Sequence, residues 1–272
     1  MCDVCIMNAV KDRMLSRRAF FQAGAAAAGV AALGAMTGTP AMAAGHDSVV
    51  DMTHVYDGDF PTYFGEPGFS KVAKFNFKDN GFNLFDLAIN EHTGTHIDAP
   101  LHFSADGASV DEIPVSSLVV PLCVIHVHER AASDPDTQVT PDDLKAWISR
   151  NGPIPDRACV AMHSGWDSRT GGMAFRNADA DGKMHFPGFH LEAVQMLMDE
   201  TGAGAIGVDT LSLDYGQSPD FSVHYAWLPS GRYGIECLNN LAKVPEAGAT
   251  LVVGAPTHRG GSGGPARIFA MV

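Results

Sequence analysis

The chain has 272 residues, of which 46% are apolar and 18% charged, enough apolar material for a large buried core and too much for a disordered polypeptide. Its formal charge is −13 at pH 7, which implies no basic surface for nucleic acid or anionic lipid. A small-molecule partner fits that balance better.

The first segment, residues 1–43, has the layout of an export signal. Lys11, Arg13, Arg17 and Arg18 give a basic start, AFFQAGAAAAGVAALGAM is a mildly apolar run, and AMA supplies small residues for cleavage. Within it SRRAFF resembles a twin-arginine signal, which implies passage of the folded protein through the twin-arginine export machinery into the periplasm. Glycines at 24, 29, 34 and 38, together with Thr37, Thr39 and Pro40, argue against a stable membrane anchor. Cleavage removes four Lys/Arg and two Asp/Glu, moving the formal charge from −13 to −15. Cys2 and Cys5 leave with the signal and make only half of a zinc site.

Residues 44–272 read as one domain without repeats. SVVDMTHVYDGDFPTYFGEPGF begins as a short strand and becomes a turn-rich loop, with Phe60, Tyr63, Phe64 and Phe69 available to line a pocket. Strands are expected in FNLFDLAINEH, LVVPLCVIHVHE, ACVAMHS, GAIGVDTLSL, ATLVVGAP and ARIFAMV. TPDDLKAWISRNG is a helix with Thr140 as N-cap, Pro141 at its first position and Gly152 as its stop. HLEAVQMLMDETG is a second, apolar along one side and ended by Gly202. The mixture describes an α/β fold built on a mixed, barrel-like β-sheet with flanking helices. Cys123, Cys159 and Cys237 lie in apolar contexts and read as buried free thiols.

HTGTHIDAPLH, residues 92–102, concentrates the chemistry. Gly94, the β-branched residues and Pro100 disfavour a helix, so an extended segment is expected, with His92, Gly94, His96 and Asp98 on one face and His102 delivered after the bend at Pro100. Two imidazoles and a carboxylate form a facial set for a first-row divalent ion with positions open for substrate. His102, a further histidine beside that set, suits proton transfer.

The pattern H-x-G-T-H-x-D-x-P-x-H resembles the signature of the metal-dependent cyclase family, which includes bacterial kynurenine formamidase and isatin hydrolase. DMTHVYDGDFPTYFGEP, HSGWDSR, HFPGFHLEA and GVDTLSLD are similar to further family blocks, so the resemblance covers essentially residues 50–272. It implies a swivelling β/β/α-type fold, a homo-oligomer (a dimer or larger), and zinc or manganese, one or two ions per chain. It also implies a ligand set of His92, His96, Asp98, His224 and Glu236, the last two twelve residues apart as in dinuclear members, with His102 as acid/base. Tyr63 would line the substrate and Trp166 would sit close to it. Phe64 replaces the family's proline in the N-terminal turn, and Cys237 alters the frequent I-E-N block.

The expected activity is hydrolysis of the C–N bond of a small cyclic amide, isatin-like, or of an N-formyl arylamine. A lactone or ester hydrolase at the same site and a non-catalytic periplasmic metal- or ligand-binding protein are the alternatives. His126 and His128 alternate along an expected strand and, like His54, His163, His185, His190 and His258, are read as hydrogen-bonded or exposed rather than as ligands. GGSGGP lacks the Lys-Ser/Thr of a phosphate loop and reads as a flexible turn.

Overall fold

The structure is a computed structural model and describes residues 48–272; residues 1–43, read above as an export signal, lie outside the described residues. These residues form two compact units, one of residues 71–87 and a larger one of residues 48–70 and 88–272.

In the larger unit nine strands make one mixed sheet. From edge to edge they are β1 (Val49–Asp51), β13 (Arg267–Met271), β11 (Thr250–Gly254), β5 (Val119–His126), β7 (Cys159–His163), β9 (Ala205–Val208), β10 (Tyr233–Glu236), β4 (His96–Asp98) and β12 (Gly263–Pro265). The middle four, β5, β7, β9 and β10, run parallel, and the strands on either side pair antiparallel. Helices α2 (His128–Ser133), α3 (Pro141–Asn151), α4 (Leu191–Glu200) and α5 (Ser222–Trp227) accompany it, with a minor pair of β6 (Gln138–Val139) and β8 (Gly188–Phe189).

Alternation along the central strands separates two cores. Leu122, Val124, Ala161, Ala205 and Ile235 belong to one buried cluster with Leu251 and Ile268. Their neighbours Cys123, Ile125, Val160, Met162 and Ile206 belong to another, where they meet Leu144 and Trp147 of α3 and Val194 and Leu197 of α4. The three thiols are free and buried, as expected.

Helix α3 is closed as its sequence predicts. The Thr140 N–H donates to the Asp143 carboxylate at 2.8 Å, and Gly152 takes φ 85°. Helix α4 stops earlier than expected: Thr201 is already extended, its hydroxyl donating to Leu197 O at 2.6 Å, and Gly202 lies beyond the end. Gly202 is small because Asp156 fills its side, where a Cβ would come within 2.3 Å of the Asp156 Oδ1.

Two further expectations are corrected here. Residues 92–98 do not form a continuous strand: only His96–Asp98 is extended, because Gly94 turns the chain at φ 66°. The bare Cα of Gly94 faces the Tyr56 ring, 2.9 Å from where a Cβ would stand. GGSGGP is a turn only in its first half, at Gly260, since Gly263–Pro265 pairs with β4 as an edge strand. A Cβ on Gly263 would meet Ile97 O at 2.3 Å.

The smaller unit, absent from the predicted elements except for FNLFDLAINEH, is an arm of a two-stranded sheet. Its strands β2 (Phe69–Phe75) and β3 (Leu84–Ile89) are joined through the single turn α1 (Phe77–Asn80). Asn76 caps that turn and Gly81 ends it at φ 79°. The arm is held by the contact of Phe75 with Phe82 and by Lys71 over the Phe85 ring, while all of β3 and the middle of β2 are exposed. Among the described residues no helix is long and apolar enough to cross a membrane.

Candidate metal centre

The centre is assembled on β4 and β10. Their antiparallel register sets His96 opposite Glu236 and Asp98 opposite Gly234. His96 and Asp98, two apart on one short strand, present their side chains to the same side. Gly234 leaves room for the carboxylate: a Cβ there would lie 3.3 Å from Asp98 Oδ2 and 2.6 Å from Leu213 Cδ1.

His92 reaches the same carboxylate from the bend before β4, its Nδ1 lying 2.8 Å from Asp98 Oδ1. His96 Nε2 lies 3.4 Å from that oxygen and 3.3 Å from Glu236 Oε2. His224, on the single long turn of α5, places Nε2 3.2 Å from Glu236 Oε1 and 3.9 Å from Asp98 Oδ2. Asp98 thus belongs to two potential ligand triplets, His92/His96/Asp98 and Asp98/His224/Glu236. The structure brings together all five side chains that the sequence pattern nominates as ligands.

His102 follows on the 3-10 turn Pro100–Phe103, its ring stacked on His92 at 3.9 Å between centroids and 5.9 Å from the His224 ring. Burial dominates its ionisation and lowers its pKa to about 4, only partly offset by the field of Asp98. It is therefore a neutral base at pH 7.

The electrostatics elsewhere in the centre run the other way. Burial disfavours charge on His224, yet hydrogen bonds to Asp214 and Glu236 and the field of Asp98 outweigh it and raise its pKa to about 10. His96 is raised well above the ordinary histidine value against the same opposition, chiefly by Asp98. Asp98 itself, fully buried, is held well below the carboxylate range by His92 and His96 in spite of desolvation. This is a cavity wall whose anions demand positive charge.

Whether a divalent cation suits the set can be read from two atoms. His96 Nε2 and Asp98 Oδ2 are buried without a hydrogen-bond partner, facing into the cluster, although orphaned buried groups cost roughly 1–3 kcal/mol each. A nitrogen lone pair and a carboxylate oxygen are what a first-row ion takes, and the remaining ring nitrogens are oriented from behind: His96 Nδ1 by Gly94 O at 2.8 Å, His224 Nδ1 by Asp214 at 2.7 Å. The residues fit the ion.

Sequence reasoning missed the groups that orient the ligands. Asp214 accepts from the His224 and Val223 backbone N–H groups as well as facing the His224 ring, and Leu213 N–H donates to Glu236 Oε1 at 3.0 Å. Ser262, just before the glycine-rich edge strand, lies 3.1 Å from His92 Nε2 and donates to Glu91. The available signal for Asp214 was an acidic residue closing the GVDTLSLD block; Ser262 had none.

Above the centre lies a cavity of about 500 Å³ lined by Tyr63, Phe64, Phe103, Leu211 and Phe221, with His92, His102, His224 and Glu236 at its polar end. Tyr63 lines this cavity, its loop tied by Arg176, which donates to Tyr63 O at 3.0 Å. Burial and the nearby carboxylates of Glu236 and Asp214 raise the Tyr63 pKa, keeping its hydroxyl a donor. Trp166 is elsewhere: fully buried, it packs with Phe60, Phe175 and Leu211, donates from Nε1 to Phe175 O, and does not line the cavity.

Comparison with known proteins agrees with this fold. A family model described as putative cyclase matches residues 50–215. Isatin hydrolase of Roseibium aggregatum is 33% identical over 84% of this chain and 93% of its own length. Kynurenine formamidase of Salinibacter ruber is 28% identical over 81% of this chain and 92% of its own. Among solved structures, isatin hydrolase A from Labrenzia aggregata bound to benzyl benzoate superposes with a TM-score of 0.78 at 36% identity, covering 83% of this chain and 93% of that one.

Proposed function

The chain belongs to the cyclase family of metal-dependent hydrolases, and from that premise we propose that it hydrolyses the C–N bond of a small cyclic aromatic amide of the isatin type. The observation that carries the substrate class is the aromatic cavity over a carboxylate–imidazole centre, large enough for a fused bicyclic ring. A divalent ion, zinc or manganese, held by His92, His96 and Asp98, and in a second position by Asp98, His224 and Glu236, supplies Lewis acidity when bound and brings the pKa of water toward about 7.

The chain's own groups do the rest. Tyr63, Phe103 and Phe221 hold the aromatic ring, and the Tyr63 hydroxyl is a donor for a substrate oxygen. His102, neutral at pH 7, accepts a proton from water as its oxygen bonds to the carbonyl carbon. As the C–N bond breaks, the same imidazole returns that proton to the departing nitrogen, and the carboxylic acid formed releases the other water proton to solvent, so the products are a free arylamine and a carboxylate.

The reading also covers location and assembly. The SRRAFF segment and the AMA site support export through the twin-arginine machinery to the periplasm, which favours a cyclic compound arriving from outside over an N-formyl arylamine made in the cytoplasm. The arm's exposed Val72, Phe77, Leu84, Phe85 and Leu87 support a homo-oligomer. The test is a substrate panel: isatin, N-formylkynurenine and a matched lactone assayed on the metal-loaded protein. Fastest turnover of isatin is expected, and turnover of the lactone alone would overturn the amide assignment.

A further inference from the structure

Three histidines that the centre does not use converge at another place on the sheet. His126 ends β5, His163 ends β7, and the parallel register sets them side by side. Their Nδ1 atoms lie 2.7 Å apart, and among the described residues neither ring makes another hydrogen bond to protein. His128 is the first residue of α2 rather than a strand residue. The turn that carries it is fixed by Val127 N–H donating to His163 O at 2.9 Å, and its ring centroid lies 4.8 Å from that of His163 and 5.6 Å from that of His126. One ring nitrogen from each of the three lies within 4.8 Å of the others.

We propose that His126, His128 and His163 form a second metal site, an all-imidazole triad for a borderline transition-metal dication such as zinc, nickel or copper. A tetrahedral ion with M–N bonds of about 2.0–2.1 Å needs three nitrogens on one side and an open fourth position. Two of the three nitrogens are set by backbone pairing in adjacent strands. The third belongs to the exposed His128, which is free to turn toward them and leaves an entry path from solvent. Gly165, left-handed at φ 74°, lies beside it, and a Cβ there would be in ordinary contact with the His128 Cβ at 3.7 Å. The site also sits at the carboxyl ends of parallel strands, where open α/β sheets gather ligands.

Its chemistry differs from that of the carboxylate centre. With no carboxylate in the triad, hard ions such as manganese, magnesium and calcium gain little there, whereas imidazole suits zinc, nickel and copper. An ion bound by groups on β5, α2 and β7 also ties these elements together, so it stabilises the folded chain by mass action.

The test uses the full chain with its carboxylate centre already filled with zinc. Copper(II) is titrated into wild type, His128→Ala and His126→Ala, with electron paramagnetic resonance reading nitrogen hyperfine coupling and thermal unfolding read in parallel. Wild type is expected to bind one more copper equivalent than either variant, with a multi-nitrogen signature and a rise in Tm that both variants lose. Because His128 is exposed, its variant folds and keeps wild-type hydrolysis. Equal copper stoichiometry, equal hyperfine pattern and equal Tm response in all three proteins would overturn the proposal, as would equal affinity of the triad for manganese.

Discussion

Two histidine clusters stand on one sheet, and their neighbours set them apart. At β4 and β10 the imidazoles face Asp98, Glu236 and Asp214, and His224 is raised to about 10 although it is completely enclosed. At the ends of β5 and β7 no carboxylate joins the rings; burial, then the adjacent His126 and His128, holds His163 down to about 4. Burial alone disfavours charge in both places, so the difference is made by carboxylates within hydrogen-bonding reach. A histidine cluster with carboxylates binds positive charge strongly and suits a catalytic ion, whereas one without them offers only lone pairs.

The largest effect expected from breaking this contrast is at Asp98, the residue both triplets share. Asp98→Asn should abolish hydrolysis and strip the centre of metal while leaving the imidazole triad's copper response intact, measured by elemental analysis and turnover on the same samples. Next comes His102→Ala, which removes the proton carrier and none of the ligands: turnover should fall roughly 10²–10⁴-fold with metal content unchanged. Asp214→Asn weakens only the orientation of His224, and a loss of about 10–100-fold in metal affinity or activity is expected, read by chelator competition.

A smaller effect sharpens the contrast through pH. His102 and His163 both have folded pKa values near 4, below the unfolded value of 6.5. Between those limits the unfolded chain binds more protons, so the stability these two residues contribute is complete above 6.5 and is lost as pH falls toward 4. Denaturation midpoints of the metal-free protein should decline across that window, and less so in His102→Ala. The smallest effect concerns the thiols: burial pushes Cys123 up to about 12 and Cys237 to about 11, so native protein should resist thiol reagents at pH 8 until it unfolds.

How much of this was legible in the sequence depended on range. The helix closed by Thr140, Pro141 and Gly152 was readable because its signals are local, and the candidate ligands that cluster here were readable too, His92, His96 and Asp98 from one short motif and His224 and Glu236 from the family resemblance. The local geometry of His92 was misjudged since alternation predicts a strand and only Gly94's φ of 66° reveals the turn. Asp214, Ser262 and the His126/His128/His163 group depend on strands meeting across the sheet, and β5 joins β7 through a pairing that no local pattern encodes. The edge strand at Gly263–Pro265 was hidden for a related reason: Gly263 answers to the backbone of β4 and Gly264 to Pro256, not to a turn.

The proposed function rests on the His92, His96, Asp98, His224 and Glu236 cluster, buried except at the half-buried His92, acting as a catalytic metal centre. Its most direct test is metal per chain in protein purified from cells without chelator, set against isatin hydrolysis by wild type and Asp98→Asn. At least one tightly held zinc or manganese ion per chain, lost together with isatin hydrolysis in the variant, is the predicted result. Isatin hydrolysis that persists at the wild-type rate in Asp98→Asn, or in protein freed of metal by chelation, would contradict it.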